Sequence, residues 1–202
     1  MGISLCPIGN HKIEFKDKTY EVLANEIKEK LDGIVFENAA FLKEVALKEN
    51  SHNPDSISRI MVKNQWTFFP EDEYYNFAED KFLTFDGPFE LHLWMDAYTL
   101  MFFSPSSRYW EWLEMTDEDR FEWRKYYYKV LQALGGDRVI YLADNSHPLD
   151  SFNYLEVPLD AVEQKLVEAF GEPKKTLEEV AKNYEKAFFV DRFEDLKMKG
   201  TE

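Results

Sequence analysis

The stretch from Phe89 to Phe103 reads Phe-Glu-Leu-His-Leu-Trp-Met-Asp-Ala-Tyr-Thr-Leu-Met-Phe-Phe, and its reading decides the fold. As far as Met95 it alternates. Phe89, Leu91, Leu93 and Met95 fall on one face, and Glu90, His92 and Trp94 on the other. A period of two is the signature of a strand with one buried face. Asp96-Ala97 is the expected turn, although it lacks the glycine that tight hairpins favour. Beyond it, Tyr98, Leu100 and Phe102 alternate with Thr99, Met101 and Phe103. This second strand is apolar on both sides, which places it inside a sheet covered by helices.

Working outward, Lys81 to Phe85 reads as a strand leading into this hairpin, and Ile57 to Phe69 as β-like before it. His11 to Phe15 is a short strand candidate at the start, and Arg138 to Leu142 another late in the chain. Helical spacing appears in Tyr20, Leu23, Ile27 and Leu31, stopped by Gly33, and again from Phe36 to Lys48. Thr116-Asp117-Glu118-Asp119 has the cap and acidic first turn of a long helix ended by Gly135-Gly136, with Phe121, Tyr128 and Leu131 as its apolar face, widened by Trp123, Tyr127 and Val130. Helices also follow Pro158 and Thr176, the last with Leu177, Val180, Tyr184 and Phe188 as its stripe. Consecutive strands followed by helices predict an α+β fold, with a mostly antiparallel sheet of about five strands around the central hairpin.

The 202 residues suit one domain spanning 1–202, with an exposed loop at 49–56 and a frayed tail at 197–202. Lys and Arg total 24 against 39 Asp and Glu, for a net charge of −15. That balance repels phosphate backbones and argues against nucleic-acid binding. No run is apolar for the ~18 residues a membrane helix needs. Met1 to Pro7 lacks the basic and apolar segments of a secretory signal, and Cys6 is the one cysteine, so a cytoplasmic protein without disulfides is expected. Glycine-rich phosphate loops, His-Glu-x-x-His and Gly-x-Ser-x-Gly are absent. No cofactor or metal is expected.

Four features carry what chemistry there is. All five tryptophans lie between Trp66 and Trp123, chiefly as core, since rings dominate burial. In Tyr109-Trp110-Glu111-Trp112, however, two tryptophans two apart cannot share one helical face, so one should reach the surface. The loop carrying Asp144 and His147 offers a carboxylate and an imidazole, which turn chemistry also explains. Glu90 and His92 form a second such pair on a strand. Acidic residues, with Glu111, Glu114 and Glu118 among them, crowd the aromatic half.

The leading expectation is a non-enzymatic interaction protein of the immunity or antitoxin-inhibitor type. It would bind a basic protein partner through Trp110, Trp112, Glu111, Glu114 and Glu118. The competing expectation is a small-molecule or carbohydrate-binding domain, or a hydrolase, working through Asp144 and His147 or Glu90 and His92 beside an aromatic ring. A homodimer that consumes the exposed rings is the third.

Overall fold

The structure, a computed structural model, describes residues 4–69, 83–104, 109–143 and 157–199. Their strands are β1 (Leu5–Asn10), β2 (Thr67–Phe69), β3 (Leu83–Asp86), β4 (His92–Met95), β5 (Thr99–Phe103), β6 (Val139–Ala143) and β7 (Phe189–Asp191). Their helices are α1 (Tyr20–Asp32), α2 (Ala39–Glu49), α3 (Pro54–Val62), α4 (Tyr109–Glu114), α5 (Asp117–Leu134), α6 (Leu159–Phe170), α7 (Leu177–Lys182) and α8 (Glu194–Lys199). The seven strands form one open sheet in the order β2-β3-β4-β5-β1-β6-β7, and every ladder is antiparallel. The α+β architecture follows the sequence pattern, with more strands than the five expected.

The hairpin of β4 and β5 sits at the middle of this order, and its two apolar faces explain the layering. Leu93, Met95, Leu100 and Phe102 point into the larger core, under α1, α2, α5 and α7. Met101 points the other way, into a smaller core with Cys6, Ile8, Ile140 and Leu142 beneath Leu159, Val162 and Leu166 of α6. Trp94 and Phe103 pack at the margin of that second core, with their rings 4.5 Å apart. The strand read as apolar on both sides is therefore covered on both sides.

The turn falls one residue later than expected, on Ala97-Tyr98, because Asp96 supplies the folding signal. Its Oδ1 accepts from the backbone N–H of Tyr98 (2.6 Å) and Thr99 (2.7 Å), and its own N–H bonds Thr99 O. This side-chain turn does the work of the missing glycine. His11 seals it from outside. One ring nitrogen, Nε2, lies 2.9 Å from Asp96 O, while Nδ1 accepts the N–H of Ile13 at 3.2 Å. The two bonds fix a neutral tautomer, with the proton on Nε2. Burial pushes the His11 pKa down, outweighing the carbonyls of Asp96 and Thr99, which raise it.

Several local expectations are corrected. The N-terminal strand is Leu5–Asn10, upstream of His11–Phe15; Pro7 has no N–H to give and falls just beyond the part of β1 that pairs with β5. Residues 54–62 are helical, so the loop expected at 49–56 is shorter. Asn53 caps α3 by accepting from Asp55 N and Ser56 N, and Pro54 occupies the first turn, where its missing N–H costs nothing. The strand before the hairpin begins only at His92, since Phe89 (φ 63°) and Glu90 (φ 56°) are both left-handed in a 3-10 turn. The last helical stripe breaks at Asn183, and Phe188 belongs to the second core. The tail continues in α8 to Lys199.

The long helix starts and stops where the sequence says. Thr116 and Asp119 exchange the reciprocal bonds of a capping box, and Gly135 closes the helix at φ 79°. A Cβ on the next residue, Gly136, would lie 2.1 Å from Asn10 O, so only glycine lets the chain pass β1 there. The buried face of α5 keeps Trp123, Tyr127, Val130 and Leu131 of the one expected and adds Tyr126 and Leu134. Trp123, Tyr126, Tyr127, Val130, Leu131 and Leu134 are buried, whereas Phe121 and Tyr128 lie on the neighbouring stripe, partly exposed.

Candidate functional site

The residues predicted to meet a partner lie on α4 and the start of α5. Glu111 and Glu114 are on one side of α4, and α4 rests beside α2. Between them a groove of about 290 Å³ is lined by Glu44, Glu49, Glu111, Glu114 and Asp119, with Phe41, Val45 and Met115 as its apolar part. Lys48 is the one cation in that lining, which leaves a formal charge of five minus one, or −4. The floor is anchored from below: Phe41 meets Trp123 edge-on at 5.9 Å between ring centroids. Helical geometry explains the wall. Glu111 and Glu114 are three apart, and Glu44 and Lys48 four apart, so each pair lies on one face of its helix.

Glu118 is exposed but does not line this groove. Trp112 is not at the surface. It is 2% exposed, packed near Tyr141 at 6.3 Å, and is therefore withdrawn from the contact set expected for it. Helical geometry allows this: successive residues point about 100° apart, so Trp112 turns into the core while Glu111 faces the groove. The side chain of Trp110 lies outside the described ones, as do Asp144 and His147.

The pairing of Glu90 with His92 is corrected. Glu90 turns away with the left-handed backbone and pairs with Arg59 Nε at 3.3 Å. His92 instead hydrogen-bonds Asp86 through Nδ1, and the two stand opposite each other in the β3–β4 register. Lys63 Nζ is 3.8 Å from the same carboxylate. Burial alone would raise the Asp86 pKa, but the His92 hydrogen bond and the charges of His92, Lys63 and Arg59 hold it below the ordinary value. Burial lowers that of Lys63, against the pull of Asp86 and Glu90. The row Thr67, Asp86, His92, Phe103 runs across β2 to β5, and the Asp86–His92 pair joins β3 to β4 within it.

Among the described residues no three of His, Cys, Asp and Glu converge as a metal-binding set, and no helix is long and apolar enough to cross a membrane. No protein-family model, curated protein or solved structure matches the chain.

Proposed function

We propose that this chain is a non-enzymatic interaction protein, and that its acid-walled groove between α2 and α4–α5 receives a basic segment of a protein partner. The observation that carries the reading is the convergence of Glu44, Glu49, Glu111, Glu114 and Asp119 around the apolar Phe41, Val45 and Met115. Carboxylates on the rim steer a cationic segment inward and suppress acidic competitors, while the apolar floor gives an aliphatic or aromatic anchor somewhere to bury. The overall charge of −15 adds long-range attraction for the same partner. Inhibition of a basic enzyme, in the manner of an immunity or antitoxin-neutralising protein, is the role this chemistry fits.

The test uses a lysine-rich amphipathic peptide and fluorescence anisotropy. The wild-type chain binds it with an affinity that falls steeply with salt. The triple reversal Glu44→Lys, Glu111→Lys, Glu114→Lys weakens it by about 100-fold, since each wall charge changes sign. Equal affinity for a glutamate-rich peptide of the same apolar pattern, or no loss in the variant, would sink the reading. Captured native partners should then compete with the peptide.

A further inference from the structure

A second depression, beside the residues that lead into α2, has the reverse chemistry. It encloses about 680 Å³ between α5, α8 and residues 37–38. That is within the range of small-molecule sites, roughly 300–1,000 Å³. Three lysines line it, Lys125, Lys129 and Lys197, against the single carboxylate of Glu37. The lining is formally three minus one, or +2, and +1 once Glu122, paired with Lys125, is counted, on a chain of net −15. Phe121 and Tyr128 supply two rings. Both are partly exposed rings of α5, and Tyr128 also packs against the edge of the larger core.

Two of the lysines are held in place. Lys125 Nζ donates to Glu122 at 2.6 Å and sits 4.9 Å above the Phe121 ring, and Lys129 Nζ donates to Glu37 at 3.2 Å. Among the described residues Lys197 makes no ion pair. Tyr128 is steadied by Gln132, which donates to its hydroxyl at 2.8 Å, and by the buried Phe193 ring at 5.3 Å. An ammonium is a compact charge suited to a phosphate oxygen, and a partly exposed ring offers a face to a flat group. A ligand with only a charge would leave the rings unused, and one with only a ring would leave the lysines unused.

We infer that this pocket binds a small organic phosphate carrying a flat ring, a compound of nucleoside-monophosphate size. The inference is independent of the acidic groove, which shares no lining residue with it. Screening confines the repulsion of the whole acidic surface to about 8 Å at physiological salt, so a small dianion still reaches a locally positive site.

The experiment titrates the full chain with phenyl phosphate, AMP, phenol and inorganic phosphate by calorimetry. The expected result is saturable binding of phenyl phosphate or AMP with Kd below about 1 mM, at least tenfold tighter than inorganic phosphate or phenol. Lys125→Ala with Lys129→Ala weakens it by tenfold or more. Phe121→Leu keeps the apolar bulk, weakens both ringed ligands severalfold and spares inorganic phosphate. Thermal unfolding of each variant shows that the fold is retained. No saturation by about 10 mM, an affinity equal to that of inorganic phosphate, or indifference to the lysine pair overturns the inference.

Discussion

The two depressions beside α2 share a scaffold and differ in sign. One is walled by five carboxylates and a single lysine, the other by three lysines and a single carboxylate. Both draw on α5, whose first turn is acidic to suit the capping box and whose middle carries the cations. A net charge of −15 predicts only the first of them. Bulk charge describes what the molecule attracts at a distance. Local lining decides what it holds, because contact distances lie inside the screening length.

The largest blow to the comparison would come from beneath it. Trp123 is fully buried and touches Phe41 of the acidic groove as well as Tyr126 and Tyr127 of the core. Trp123→Ala should cost about 3–5 kcal/mol, read as a lowered midpoint in denaturant, and should disable both depressions together. If only one were lost, they would not share a scaffold as described.

A crossover experiment comes next. Glu111→Lys with Glu114→Lys should cut affinity for a lysine-rich peptide by tens of fold and leave phenyl phosphate untouched. Lys125→Ala with Lys129→Ala should do the reverse. Parallel losses in both variants would reduce the distinction to net charge.

His11 should separate acid sensitivity of the fold from that of either site. Its folded pKa is lowered, so the native state binds fewer protons than the unfolded one just below pH 6.5. Its stabilising effect is complete above that pH and is lost as pH falls toward the lowered folded value. Stability should therefore decline as pH falls from 7 through the unfolded value near 6.5, measured by chemical unfolding. His11→Gln keeps one donor and one acceptor without titrating there, and should flatten that slope.

The smallest effect is expected at α8. Arg124 bridges Asp191 and Asp195, gripping Asp195 at 2.9 and 2.7 Å and so tying α8 to α5. Burial works against the Arg124 charge, but those two carboxylates keep it protonated. The exposed arm of the network should contribute less than about 1 kcal/mol to stability. Asp195→Asn should therefore barely move the midpoint, yet weaken phenyl phosphate two- to fivefold by loosening Leu196 and Lys197. An unchanged affinity would show that α8 is not a wall of the pocket.

Local signals in the sequence carried well where they involved neighbours. Alternation in Leu91 to Phe103 gave the sheet's centre, and Thr116, Thr176 and Gly135 gave true helix ends. Asn53-Pro54 misled because the same residues suit a turn and a helix start, and only the periodicity of Ser56 and Ile60 separates the two. The β1 strand was hidden by Pro7 and Gly9, residues whose use depends on what lies beside them. Glu111 and Glu114 could be read as acidic surface, but Glu44 and Glu49 come from a helix some 60 residues earlier, and no spacing rule joins them. The partnership of Asp86 with His92 likewise exists only in the strand register.

Cys6 lies on β1 with its Sγ 3.3 Å from Met101 Sδ across the β1–β5 seam, and only 6% of its surface is accessible. A thiol so enclosed is a built-in clock. A bulky alkylating reagent can reach it when the second core beneath α6 opens, so the labelling rate counts openings of that layer. Because the sequence holds a single cysteine, one mass increment reports them all.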